Sequence, residues 1–203
     1  MIMKKLFSFL AILFIATQLQ AQDITLLNNI RATNEKINSF EADLSNTIVK
    51  PKKTNTQEGK LYFLKPFEFA ALFNTGKFMV VNKQKINMDI GLFHGKFKLK
   101  DGGMMQSLSN IFLYGFQGRI QDLANENGYN HSTKTENGYH VVTCVIKKKK
   151  LIGIGYRQVV FKYHTENLLL KEIVLYDYND NVDTYTISNV KYNVPIDQKL
   201  FEF

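Results

Sequence analysis

Residues Gly59–Phe73 read GKLYFLKPFEFAALF, and this stretch decides how the chain folds. Alternate side chains of a β-strand point to opposite faces, so Leu61, Phe63 and Lys65 fall on one face of a first strand. Pro66 cannot donate to a central sheet ladder and therefore marks the end of that strand or a sheet edge. The letters that follow, FEFAALF, predict a second strand directly after the break. The stretch thus predicts two neighbouring strands whose apolar face ends in a cation.

The same period of two extends through most of the chain. Before residue 101 it appears in FEADLSNTIVK, GKLYFLK, FEFAALF, KFMVVN, KINMDI and KFKLK. After residue 124 it appears in YNHSTK, YHVVTCVI, GYRQVVFKY, LLLKEIVLYDY and DTYTISNVKY. Short turn-like pieces such as NTG, LFHG, ENG and NDN separate several of these segments, as in an antiparallel meander. We therefore predict about eleven strands in one strongly curved antiparallel sheet, because so many strands rarely stay flat.

Two regions have helical periodicity instead. Asp23 can cap a helix that runs to about Asn38, with Leu27, Ile30 and Ile37 on one face. The second region, residues 101–124, interrupts the strands with a helix and a further short helical piece, RIQDLA. Its helical spacing is carried by Met104, Met105, Leu108, Ile111 and Phe112. The predicted fold class is mainly β with α: an incomplete, strongly curved antiparallel β-barrel closed by helices.

The first 21 residues have the pattern of a secretory signal peptide. Lys4 and Lys5 precede the apolar run LFSFLAILFIA, and QLQA ends in the small residue Ala21. The apolar run is too short to span a membrane comfortably. Removing residues 1–21 leaves a net charge of +6. We predict a periplasmic protein in which residues 22–203 form a single domain, because no linker or internal repeat divides them.

The sequence offers little support for catalysis. The histidines His94, His131, His140 and His164 lack metal-ligand spacing, and no nucleophile elbow or phosphate-binding loop appears. Cys144 is the only cysteine, so no intrachain disulfide is possible, and its alternation with apolar residues predicts a buried position. We therefore predict no enzyme activity, no catalytic residue, no metal and no cofactor.

The basic run Lys147–Lys150 has two interpretations. It is either a solvated loop between two strands or a docking patch for anionic lipid or an acidic partner. Nucleic acid is disfavoured by the export signal. The bulky apolar content of FEFAALFNTGKFMVV likewise has two interpretations. Phenylalanine and methionine suit a surface that accepts flexible chains, but they equally suit a plain core between helix and sheet.

The order of these features resembles the family of periplasmic outer-membrane lipoprotein carriers, the LolA family. A signal peptide and a helix are followed by SFEADLSNTIV, then EGKLYFLKPFEF, a helical insert, late strands and a terminal LFEF. The family shows a glycine, a strand, a basic residue with proline, and an aromatic residue three positions later. In this chain these are Gly59, Leu61, Lys65, Pro66 and Phe69.

The chain departs from the family pattern at two places. The family usually has arginine where this chain has Lys65. It often has Asp-Gly in the turn where this chain has Asn82 and Lys83.

The resemblance implies a carrier that binds the acyl chains of lipoproteins in an apolar cavity and moves them from the inner to the outer membrane. It also implies an inner-membrane lipoprotein-releasing transporter and an outer-membrane acceptor as partners, and we expect a monomer. The inward stripe of the strands and the facing helix predict the cavity lining. These residues are Leu61, Phe63, Phe69, Phe73, Met105, Leu108, Ile111 and Phe112.

Lys65 and Pro66 are the predicted latch of the lid. In the family the equivalent arginine ties down the lid and cargo displaces that tie. We predict that Lys65 holds the helix of residues 104–114, more weakly than arginine because an ammonium lacks the guanidinium fork. The alternative is a lysine that extends into solvent. Two other functions stay open: a carrier or sensor of another lipid or glycolipid, and a non-lipid envelope-interaction protein with a packed barrel.

Overall fold

The structure is a computed structural model that describes residues 23–90, 93–100, 103–146 and 155–203. The predicted signal peptide (residues 1–21) and the basic run Lys147–Lys150 lie outside the described residues. Among the described residues no helix is long and apolar enough to span a membrane.

Eleven strands are present in the described part of the chain, six before the helical insert and five after it, as predicted. The first six are β1 (Ser39–Lys50), β2 (Lys53–Leu64), β3 (Glu68–Phe73), β4 (Phe78–Asn82), β5 (Lys85–Ile90) and β6 (Phe93–Lys98). The last five are β7 (Tyr129–Glu136), β8 (Tyr139–Ile146), β9 (Tyr156–His164), β10 (Leu170–Asp177) and β11 (Val182–Tyr192).

All strands belong to one antiparallel sheet in the order β6-β5-β4-β3-β2-β1-β11-β10-β9-β8-β7. Two meanders, β1–β6 and β7–β11, therefore meet where the first strand pairs with the last. The register at this seam runs from Phe40 opposite Tyr192 to Val49 opposite Val182. Strands β6 and β7 stay at opposite edges, so the sheet does not close. The predicted fold class, an open curved antiparallel barrel with helices, is confirmed.

Three α-helices are described. The described part of α1 covers residues 23–34, α2 is Met104–Gln117 and α3 is Ile120–Asn127. Helix α2 ends at Gly118, which has a φ of 66°, a left-handed conformation that glycine adopts without steric cost. Every residue from Leu108 to Gln117 is buried, whereas residues 104–107 at the start of α2 are partly buried. It lies against the inner face of the sheet, and the two form the main core together with apolar residues of α1 and α3.

Three element boundaries differ from the sequence prediction. Helix α1 ends at residue 34 and not near Asn38, because the chain turns there to enter β1. Strand β2 begins at Lys53, earlier than predicted, because it pairs with β1 along its full length. The piece LFHG is not simply a turn, since Phe93, His94 and Gly95 belong to β6 and pair with β5.

The C-terminal segment covers part of the outer face of the sheet. A short 3-10 helix, Gln198–Phe201, packs Phe201 against Ala70 of β3 and Val80 of β4. The side chain of Asn82 donates a hydrogen bond of 2.6 Å to the carbonyl oxygen of Phe201. The short helix therefore packs on the outer face of the sheet, whereas α2 packs on the inner face.

Candidate functional site

The structure brings the predicted cavity residues together around α2. Leu61, Phe63, Phe69 and Phe73 of the sheet and Leu108, Ile111 and Phe112 of the helix are buried in one core, with the partly buried Met105 packed against it. The rings of Phe69 and Phe112 lie 5.4 Å apart between centroids. Sheet and helix therefore contribute these residues to one apolar core, which we call the apolar site.

This apolar site is occupied by the protein's own helix. Among the described residues, the space between α2 and the sheet holds two voids of about 10 Å³ each, which is roughly the room one water molecule needs. One void lies between Phe69, Phe112 and Tyr185, and the other lies beside Phe40 and Phe116. The predicted lining residues thus pack against α2.

Several residues at the centre of this site were missed from the sequence. The ring of Phe116 lies 5.3 Å from Phe40 and 5.5 Å from Phe63, and the ring of Tyr185 lies 4.9 Å from Phe112. The four-residue step from Phe112 to Phe116 is a helical period and could have identified Phe116. Tyr185 comes from the last strand, and no local pattern predicts its contact with the helix.

Helix α2 is held by a close approach and by two hydrogen bonds to neighbouring parts of the fold. The hydroxyl of Tyr163 in β9 donates a 2.8 Å bond to the carbonyl oxygen of Gly115. A Cβ atom at residue 115 would lie only 2.7 Å from the ring of Phe161, so glycine allows this approach. At the end of the helix, the amide of Gln117 donates 2.9 Å to the carbonyl oxygen of Pro66.

Lys65 contacts a different helix from the one predicted. Its ammonium group donates a 2.7 Å hydrogen bond to the carbonyl oxygen of Glu35, directly after α1, and not to residues 104–114. The carbonyl groups that follow a helix carry its partial negative charge, so a cation is favoured there. Because Pro66 accepts from Gln117, this strand end contacts both helices, α1 through Lys65 and α2 through Pro66.

Ion pairs connect the helices at the same end of the sheet. Arg31 of α1 pairs with Glu35 at 2.7 Å and with Asp122 of α3 at 3.5 Å, and Arg119 pairs with Asp122 at 2.7 Å. Gly118 packs against the backbone of Ile30, where a Cβ atom would lie 2.8 Å from the carbonyl oxygen. The helices are therefore joined to one another as well as to the sheet.

A cleft of about 650 Å³ lies at this end of the molecule, a size typical of small-molecule sites. We call it the basic cleft, because all its charged lining residues are lysines. It is lined by Phe67, Lys83, Gln84, Lys85, Lys98, Leu99, Lys100, Gln106, Asn110, Leu113 and Tyr114.

A polar network occupies the opposite end of the inner face. The buried Gln57 donates a 2.9 Å hydrogen bond to Asn46, and Asn46 donates to the carboxylate of Asp183. Tyr185 also donates to that carboxylate, at 3.1 Å. Burial is the main cause that raises the pKa of Asp183 to about 6, although both hydrogen bonds oppose the shift.

The described residues contain no cluster of side chains that could bind a metal ion. No group of three or more histidine, cysteine, aspartate or glutamate side chains is placed to hold an ion there. Cys144 is buried as predicted, and burial raises the pKa of its thiol to about 12, so it is not a reactive thiolate.

Among known proteins, this chain is similar to several solved structures. No protein-family model matches the chain, and no curated protein matches it. A putative outer membrane lipoprotein-sorting protein domain from Vibrio parahaemolyticus is 10% identical, with a TM-score of 0.48, over 90% of this chain and 97% of that one. A LolA superfamily protein from Nitrosomonas europaea is 7% identical, with a TM-score of 0.44, over 89% and 97% of the two chains. A DUF1329 family protein from Desulfovibrio piger is 14% identical, with a TM-score of 0.46, over 88% and 96%. These likenesses concern the course of the chain alone and say nothing of what the protein binds.

Proposed function

We propose that this protein carries the acyl chains of lipid-modified cargo through the periplasm, from the inner to the outer membrane and without catalysis. The observation that supports this proposal is the position of α2. Helix α2 packs its apolar residues against the inner face of an open sheet, and α1 and α3 contribute to the same core. In the loaded state, acyl chains take the place that α2 occupies in the empty protein.

The exchange of helix for acyl chain is energetically reasonable. Phe112 and Phe116 contribute apolar surface that an acyl chain can replace, at about 0.8 kcal/mol for each methylene removed from water. Moving α2 breaks the bonds from Tyr163 to Gly115 and from Gln117 to Pro66, each with a net value of about 1 kcal/mol. Displacement also exposes buried apolar side chains of α2, at about 1.5–3 kcal/mol each, so several acyl chains, or cover for the displaced helix, are needed to compete for the site.

The topology permits this movement. Helices α2 and α3 lie in the connection between β6 and β7, the two edge strands. Every strand pairs only with its neighbours in the sheet, so α2 can leave the inner face without breaking a strand pair. Gly103 and Gly118 border α2 and give the connection freedom to bend.

The proposal also includes the export of this protein and the transfer of its cargo to an acceptor. Residues 1–21 act as a cleaved signal peptide, which delivers residues 22–203 to the periplasm as a single carrier domain. A lipoprotein-releasing transporter of the inner membrane supplies the cargo. An outer-membrane acceptor that offers a competing apolar site receives it.

Tryptophan fluorescence tests the proposal, because the chain contains no tryptophan. Phe116→Trp places a reporter beside the proposed acyl site, and Tyr139→Trp places one in the small outer cluster that contains Val141. A lysolipid with a brominated acyl chain should quench the reporter at residue 116 saturably and leave the one at residue 139 unchanged. Equal quenching of both variants, or of neither, would contradict acyl binding at the inner face.

A second function is favoured by one observation, the packing of the predicted lining residues against α2. A permanently packed barrel suits a non-lipid envelope-interaction protein. Mass spectrometry of the purified protein separates the alternatives. Co-purified lipoprotein supports the carrier, co-purified glycolipid or other lipid supports a carrier or sensor of that lipid, and a protein that neither co-purifies with lipid nor binds added lipid supports the packed barrel.

A further inference from the structure

The basic cleft concentrates positive charge that no described carboxylate neutralises. Lys83, Lys85, Lys98 and Lys100 line it, all are exposed, and none forms an ion pair with a described acidic side chain. Lys85 of β5 lies directly opposite Lys98 of β6 in the strand register. Like charges in such cross-strand positions destabilise a sheet. An anion bound in the cleft would relieve this repulsion.

The remaining lining residues suit a phosphate group and an apolar stem. Gln106 and Asn110 bring amide groups, and Phe67, Leu99 and Leu113 bring apolar surface. Gln106 lies in the first turn of α2, which has no side-chain cap and no acidic residue. The unpaired N–H groups of a helix start favour negative charge, so this turn adds to the attraction of the lysines.

In the part of the chain that the structure describes, one carboxylate accepts hydrogen bonds from the lining residues, and both donors are neutral groups. Glu126 of α3 accepts a 2.7 Å bond from the hydroxyl of Tyr114 and a 3.3 Å bond from Asn110. It does not line the cleft itself. It therefore supplies no counter-ion to the four lysines, and no other described carboxylate pairs with them.

The cleft lies on the other side of α2 from the aromatic site. Gln106, Asn110, Leu113 and Tyr114 line the cleft at helical spacing, whereas Phe112 and Phe116 face the sheet. Displacement of α2 would therefore join the cleft to the inner face. The exposed aromatic ring of Phe67, 44% accessible, lies at the cleft and leaves apolar surface available there.

We propose that the basic cleft binds the phosphate-bearing headgroup of an amphiphile whose acyl chain enters the inner face. This inference rests on the proposed function, since the chain needs the site that α2 vacates. The lysines hold the phosphate, the amides of Gln106 and Asn110 donate to its oxygens, and the apolar lining covers the first part of the acyl chain. The cleft thus selects anionic amphiphiles over neutral ones.

The test compares three probes: lysophosphatidylglycerol, a monoacylglycerol of the same chain length, and free glycerol phosphate. The variant K83Q/K85Q/K98Q/K100Q removes the charge of the cleft. Its matched control, K50Q/K52Q/K53Q/K77Q, removes four lysines from the hairpins β1–β2 and β3–β4, which lie at the opposite end of the sheet. All three proteins are titrated with each probe at low and high salt.

We expect the wild-type protein to bind lysophosphatidylglycerol about tenfold more tightly than monoacylglycerol at low salt, with the difference shrinking at high salt. The cleft variant should lose this preference and keep its affinity for monoacylglycerol, while the control variant behaves as the wild type.

An unchanged preference in the cleft variant would overturn the headgroup site but leave acyl carriage intact. Glycerol phosphate binding as tightly as the lysolipid would assign the cleft to a free phosphate ester and also overturn the proposal. Failure of monoacylglycerol to bind any of the proteins would count instead against the proposed function.

Discussion

At the scale of single residues, Lys65 forms its hydrogen bond with a different helix from the one that the sequence predicted. Alternation predicts that its side chain leaves the strand on the face of Leu61 and Phe63. Its ammonium group nevertheless bonds to Glu35, because α1 ends nearest to that strand end. The tie therefore connects the sheet to α1, and it reaches α2 only through the neighbouring Pro66.

Replacing Lys65 should loosen the end of α1. Lys65→Met keeps the alkyl stem but removes the donor to Glu35, so the free energy of unfolding should fall by about 1 kcal/mol. Amide exchange at Lys36 and Ile37 should become faster. Lys65→Arg serves as the control, since a guanidinium also donates to a carbonyl and should preserve slow exchange. Unchanged exchange in Lys65→Met would mean that the lysine is a solvated residue at the strand end.

Asp183 should make stability depend on pH. Its pKa is raised from 3.8 to about 6 in the folded protein, so the fold favours the neutral carboxyl. Below pH 3.8 the group is neutral in both states and costs nothing, whereas above pH 6 the folded state contains an ionised, buried carboxylate. Asp183→Asn should therefore stabilise the protein by about 1–3 kcal/mol at pH 7.5 and by almost nothing near pH 4. Urea unfolding at both pH values checks this, and a gain independent of pH would contradict it.

At the scale of elements, the sequence predicted that α2 is a helix but not where this helix packs. Residues 104–112 have a clear helical period, and the helix forms at Met104–Gln117. Its enclosure depends on Gly115 approaching Phe161 and on Tyr185 reaching Phe112, which are contacts between distant parts of the chain. A local pattern carries no information about such contacts. It predicts which residues are apolar but not whether a cavity or a helix fills the space between them.

A methyl group at Gly115 should push α2 away from the sheet. In Gly115→Ala the new Cβ atom would lie 2.7 Å from the ring of Phe161 and 3.3 Å from Ile173, which is overpacking with a cost of about 1–3 kcal/mol. Since the empty state alone makes this contact, acyl probes should bind more tightly, and α2 amides should exchange faster.

The control for that variant is Gly138→Ala. Residue 138 has a φ of 79° in open space between β7 and β8, so the substitution costs backbone strain without touching α2. It should lower stability by about 1 kcal/mol and leave acyl affinity unchanged. If both variants changed acyl affinity equally, a general loss of stability would explain the effect and the displacement of α2 would not.

At the scale of the whole molecule, the number and sequence order of the strands were predictable because each strand has its own alternation and its own turn. The start of β6 was not predictable, since Phe93, His94 and Gly95 pair with β5 despite their turn-like composition. The basic cleft was not predictable either. It combines the turn before β5, the end of β6 and one face of α2, which only the folded chain brings together.

The exported protein should have a mass that corresponds to residues 22–203. The charged start, the short apolar run and the small residue at position 21 predict cleavage there. Intact-mass measurement on the periplasmic fraction checks it. A full-length or acylated species in the membrane fraction would contradict both the processing and the periplasmic location.

The seam between β1 and β11 also constrains how the protein is made. Each meander forms by contacts between near neighbours in sequence, but the seam joins residues such as Phe40 and Tyr192 that are far apart in the chain. Because β11 is the partner of β1 at the seam, this edge of β1 stays unpaired until β11 is available, which in the proposed export means until β11 has crossed the inner membrane. During that interval the emerging chain exposes an apolar sheet edge, which favours aggregation. Secretion of this protein should therefore depend on periplasmic chaperones more strongly than its length alone would suggest.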